Sequence, residues 1–147
     1  MNWYTYLLTA IFGLVIGSFL NVLIYRLPRK KNVAMARSVC PHCGQLIAWY
    51  HNIPVLGFIW LGGKCASCRK NISLRYPLVE IANAAMYLFF LWRFGLTTEG
   101  IVFSALASAL LVIFFIDVDF QIIPDVITLP GIIAGLVENN YIANDLL

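Results

Sequence analysis

The chain has 147 residues, 61% of them hydrophobic and 12% charged, with a net charge of +3 and a mean hydropathy of +0.84. A soluble domain is nearer half apolar and a quarter charged, so this composition excludes an ordinary soluble fold. Nine of the ten Lys/Arg lie between Arg26 and Arg75, with Arg93 the exception, and all seven Asp/Glu follow from Glu80 onward, so the modest net charge averages two unlike regions.

From Met1 to Tyr25 there is no Asp, Glu, Lys, Arg or His. That run is long enough for the ~20 apolar residues a bilayer core requires. A signal peptide would carry its basic residues before the apolar stretch, whereas Arg26, Arg29, Lys30 and Lys31 come after it. The expectation is therefore a retained transmembrane helix over residues 1–27. It contains Gly13 and Gly17, four apart, followed by Ser18 and Asn21. Small residues at that spacing allow close helix approach, although Gly is also simply common in membrane helices. Asn21 is an amide in an apolar helix, and such groups usually bond inside a bundle.

Pro28 ends this helix, and residues 28–76 form a basic segment rich in Gly, Pro, Cys and aromatics. The positive-inside rule makes it cytoplasmic. Its basic charge is explained by topology and anionic lipid, so no nucleic-acid partner is expected. A segment this small needs a metal or disulfides to hold a fold. It supplies Cys40-Pro-His-Cys43 and Cys65-Ala-Ser-Cys68, two C-x-x-C pairs, the first followed by Gly44. Two such knuckles complete a tetrahedron of thiolates with no open position, which points to a structural metal site. Zinc is the default, and iron suits the same four-sulfur geometry. Disulfides are disfavoured in the cytoplasm. His42 is awkwardly placed inside the knuckle, and His51 is a weak substitute ligand.

The second transmembrane helix is expected from near Pro77 to about Phe94, then an outer turn through Thr97–Gly100, then a third from Ile101 to Ile116. A fourth apolar segment, Val126 to Val137, reaches only about 18 Å as a helix and is too short to span. Between the third and fourth lies Asp117-Val-Asp-Phe-Gln-Ile-Ile-Pro-Asp125. Carboxylates at the end of an apolar helix are expensive and usually functional. Asp117 is expected to be the deepest and most desolvated, Asp119 to be its runner-up, and Asp125 to cap the fourth helix. Arg26 reads as snorkelling to the interface and Glu80 as a capping or pairing residue near a helix start.

The block from Gly17 to Pro28, the C-x-x-C pairs around Asn52-Ile-Pro54, the block from Ile72 to Glu80, and the block from Asp117 to Asp125 together resemble the type IV prepilin peptidases, bifunctional leader peptidase/N-methyltransferases. The resemblance implies an all-α polytopic membrane protein of the bacterial inner or plasma membrane, with a cytoplasmic four-cysteine zinc-binding insertion between helices 1 and 2. Residues 77–147 would then begin the aspartic peptidase domain. It implies cleavage of prepilin and pseudopilin leaders by two aspartates, of which Asp117 is one, and N-methylation of the new N-terminus with S-adenosylmethionine. The family's second aspartate sits in a later Gly-x-Gly-Asp block absent from this sequence, whose remaining Asp145 lies in Ala-Asn-Asp-Leu. The expectation is an N-terminal portion, inactive alone, that works as a homodimer or with a missing C-terminal part. The alternative is a non-catalytic membrane zinc module that binds prepilin or assembles with a partner fragment, and a redox role for the thiols is a third reading.

Overall fold

A computed structural model describes residues 2–32, 38–122, 124–125, 127–129 and 131–132. The described elements run in the order α1 (Trp3–Arg26), a 3-10 turn (Trp49–Asn52), α2 (Leu56–Trp60), α3 (Arg75–Phe94) and α4 (Thr98–Phe120). There is no strand among the described residues, only two isolated antiparallel bridges. Most of the fourth apolar segment, and Asp145, lie outside the described residues.

The three long helices pack side by side, α3 more extensively on α1 than on α4. Leu20, Ile24, Val79, Val112 and Ile116 form the buried apolar cluster at the end where α1 stops and α3 starts. The glycine pair of α1 makes the close approach. A Cβ on Gly13 would sit 2.7 Å from Ala84 Cα, and one on Gly17 2.7 Å from Glu80 Cα. At these two positions the packing reading of the sequence holds.

Polarity is distributed inside out. Asn21, Asn83, Ser104 and Ser108 are buried, while Trp3, Leu8, Phe12, Phe114 and Val118 are exposed on α1 and α4. Asn83, with no exposed surface, donates from Nδ2 to Gly13 O (2.8 Å), and its Oδ1 accepts from Ser108 Oγ (2.7 Å). Large apolar groups outside and paired polar groups inside suit an apolar solvent. α1 and α4, at 24 and 23 residues, are long and apolar enough to cross a bilayer. The 20-residue α3 falls short on composition, because Glu80, Asn83 and Arg93 interrupt it.

Helix ends differ from expectation in three places. α3 begins at Arg75, so Pro77 lies in its first turn, where its missing N–H has no partner to lose. α4 begins at Thr98, because Thr97 Oγ1 accepts from Gly100 N–H and caps it (3.2 Å). It ends at Phe120, closed by left-handed Gln121, so Asp117 and Asp119 are inside the helix rather than beyond it. Nothing in Asp117-Val-Asp-Phe breaks a helix; the stop comes just ahead of Pro124.

Candidate functional site: a thiol knuckle pair and the carboxylates beside it

The four cysteine sulfurs, free of disulfides, lie within 4.8 Å of one another. They are brought together by two copies of one backbone device. In the first, Cys40 N–H donates to Gln45 O (2.9 Å), Gly44 N–H to Cys40 O (2.9 Å), and Val39 bridges Leu46. In the second, Cys65 N–H donates to Lys70 O (2.9 Å), Arg69 N–H to Cys65 O (3.1 Å), and Lys64 bridges Asn71. Each position of the second copy lies 25 residues after its equivalent, Cys40 to Cys65. No internal repeat is evident from the sequence, because the two knuckles share little besides their cysteines. The turn requires a left-handed residue, which is Gly44 (φ +69°) in one copy and Arg69 (φ +60°) in the other.

This donor set suits a metal ion. A tetrahedron of sulfurs about 2.3 Å from zinc has edges of about 3.8 Å, and Cys40 Sγ stands 3.9 Å from Cys68 Sγ. Backbone N–H groups of Cys68 and then Ser67 point at the Cys65 sulfur and pull its pKa down to about 6. At Cys43 the Gln45 N–H acts in the same direction. It is outweighed by desolvation and by the neighbouring sulfurs of Cys40, Cys68 and Cys65, which push that thiol up to about 11. His42 is exposed and His51 packs edge-on against Tyr50, so neither belongs to the cluster.

The module is tied to the bundle through Glu80 of α3, which is 7% exposed. Its Oε2 accepts from Val55 N–H (2.7 Å), and Ser18 is a second hydrogen-bond partner. Val55 is β-branched yet has φ +60°, a conformation such residues rarely adopt. Glu80 is thus a tie between α3, α1 and the loop before α2, not a helix-start cap. Asn21, expected to bond within the bundle, does so to Tyr76 O (3.0 Å). Arg26 is buried, not snorkelling, and donates to Asn32 O (3.1 Å).

The aspartates lie at the same end of the bundle. Asp119 pairs with Arg75 at the start of α3, and Arg29 stacks over Phe120, 4.9 Å from the ring centroid. Asp117 is exposed on α4, so the expected desolvated environment is not found among the described residues. Asp125 is already helical and Pro124 O accepts from Ile127 N–H (3.0 Å), so Asp125 occupies the first turn, not the cap. Sequence reasoning missed the Glu80–Val55 tie and the Arg75–Asp119 pair; their partners are 25 and 44 residues apart and carry no local signal.

Fold and site together define a helical bundle of membrane character joined to a four-cysteine module that could hold a metal ion. Residues 11–94 match the family model for the bacterial peptidase A24 N-terminal domain, and the chain belongs to that family. It is similar to the prepilin leader peptidase/N-methyltransferase of Myxococcus xanthus, with 44% identity over 126 residues, covering 86% of this chain and 38% of that protein. The protein of the same name from Pseudomonas aeruginosa is 37% identical over 158 residues, 92% of this chain and 54% of that one. The Neisseria gonorrhoeae protein is 36% identical over 159 residues, 90% and 54% respectively. The chain thus spans about half the length of these relatives, or less. No solved structure matches it.

Proposed function

We propose that this chain is the zinc-bearing part of a membrane prepilin leader peptidase/N-methyltransferase and contributes one catalytic aspartate, Asp117. The relatives carry that name, and it comes to this chain as a proposal. The observation that carries it is the contrast between the two aspartates of α4. Arg75 holds Asp119, while Asp117 is exposed at the end of an apolar helix. A carboxylate on a bilayer-length helix is expensive unless it meets water or a second functional group. In an aspartic peptidase two carboxyl groups share one proton and activate water between them. Asp117 would supply one, with the other coming from outside residues 1–147 or from a second copy in a homodimer.

The arrangement belongs in the bacterial inner membrane, with α1, α3 and α4 spanning and residues 28–76 cytoplasmic, as the basic charge of that segment favours. Cys40, Cys43, Cys65 and Cys68 would hold a structural zinc ion whose role is to fix the segment between α1 and α3. S-adenosylmethionine would supply the methyl group for N-methylation. The described residues contain no strand-to-helix glycine turn to cradle its nucleoside.

The test is cleavage of a prepilin-type substrate by membranes carrying residues 1–147, with and without the later helices of a relative supplied in trans. Cleavage only with the added helices, lost in Asp117→Asn, is the expected result. Cleavage that survives Asp117→Asn would remove Asp117 from the dyad. Failure in every combination with metal still bound would favour the non-catalytic assembly module.

A further inference from the structure

A cavity of about 160 Å³ lies where the thiol module meets α1 and α3. Its walls include apolar side chains such as Phe58, Leu61 and Ile72, together with the polar groups Ser18, Asn21 and Glu80. Two of these are more than nine-tenths buried: Glu80 is 7% exposed and Asn21 4%. Asn21 donates from Nδ2 to Tyr76 O, which leaves Oδ1 buried with no hydrogen-bond partner. No described basic side chain forms an ion pair with Glu80.

A buried acceptor without a donor and a buried carboxylate without a cation are both costly. A cation that donates hydrogen bonds meets both deficits of this cavity at once. A primary ammonium has three donors on a compact head. Glu80 and Asn21 Oδ1 are acceptors in the lining of this cavity, with the Ser18 hydroxyl already hydrogen-bonded to Glu80, and the apolar remainder suits a hydrocarbon or aromatic tail. We infer that this cavity binds a primary ammonium group carried on an apolar residue, with Glu80 and Asn21 as its principal acceptors. The strained Val55 backbone, tied to Glu80, fixes one carboxylate oxygen and leaves the carboxylate oriented before the ligand arrives. The inference rests on the functional reading above only for the source of the ligand, since leader cleavage frees such an N-terminal ammonium.

The experiment uses the zinc-loaded 147-residue chain in nanodiscs and calorimetric binding of four probes. These are phenylalaninamide, its N-acetyl form, an apolar heptapeptide beginning with Phe, and the N-acetyl heptapeptide. Free amines are expected to bind at least tenfold tighter than their acetylated partners, and Glu80→Gln to lose that difference while keeping its zinc. A heptapeptide that outbinds the small amide assigns the site to a polypeptide N-terminus, and equal affinity assigns it to free amines; either supports the cavity's role. Equal binding of free and acetylated probes, or no binding at all, overturns it, and that comparison is made on the wild-type chain whether or not the variant folds. Asp117→Asn should leave amine binding intact, so loss of cleavage and loss of amine binding report on separate claims.

Discussion

Arg69 and Gly44 occupy equivalent places in the two knuckles but reach them unequally. A left-handed conformation costs an L-residue about 1–2 kcal/mol and glycine almost nothing. Space is open around Gly44, so Gly44→Ala should weaken zinc retention through conformation alone, by about 1 kcal/mol or roughly fivefold in chelator competition. Arg69→Gly should leave retention unchanged or improved, and a large loss there would mean that the arginine side chain itself holds the module. The thiols predict the direction of the pH response. Cys43, raised to about 11, is protonated at neutral pH, and a metal must displace that proton. Zinc affinity should therefore rise with pH, and zinc should be lost on acidification as the thiolates, Cys65 (about 6) included, take up protons. A flat profile between pH 5 and 8 would contradict thiolate ligation. At the other site, Arg75→Ala should lower stability by no more than about 1 kcal/mol, because the Arg75–Asp119 pair is partly exposed.

Among the helices the contact of α1 with α3 is the most sensitive. Gly13 and Gly17 leave no room for a Cβ, so Gly17→Leu must push α3 away and should cost about 1–3 kcal/mol in a detergent-unfolding titration. Ser108→Ala removes one donor to Asn83 and should cost about 0.6–1 kcal/mol. Much of this level was legible beforehand. The uncharged run gave α1, the four-residue glycine spacing marked its packing face, and the C-x-x-C spacing gave the two sulfur knuckles, each because the signal sits within a few residues. The ends of α4 were not legible from hydropathy, because a threonine cap and a left-handed glutamine, not a change in polarity, set them. The roles of Glu80 and Asn83 were hidden for a different reason: their partners are supplied by other parts of the chain, and only packing reveals which residue a buried polar group meets.

At the scale of the molecule, the cysteine module and the bundle are joined through Glu80. Chelation should release order in the segment around Cys40 and Cys65 while the far-ultraviolet helical signal of α1, α3 and α4 persists; collapse of both together would mean that the bundle depends on the metal. The joint between them is the bond from Val55 N–H to Glu80, at the end where the aspartates also lie. The inside-out placement of polar groups has a further consequence for biogenesis. α3 carries Glu80, Asn83 and Arg93, and its apolar content alone does not match that of its neighbours. An acidic group costs a lone helix up to about 2.5–3.5 kcal/mol on entering lipid, the full cost applying at the centre and a smaller one to Glu80 in the second turn of α3. Asn83 finds Gly13 O and Glu80 finds Ser18 only on α1, which is made first. On the proposed topology, the earlier helix would act as a receptor in the bilayer for the later one, and α3 would insert as half of a hairpin with α1.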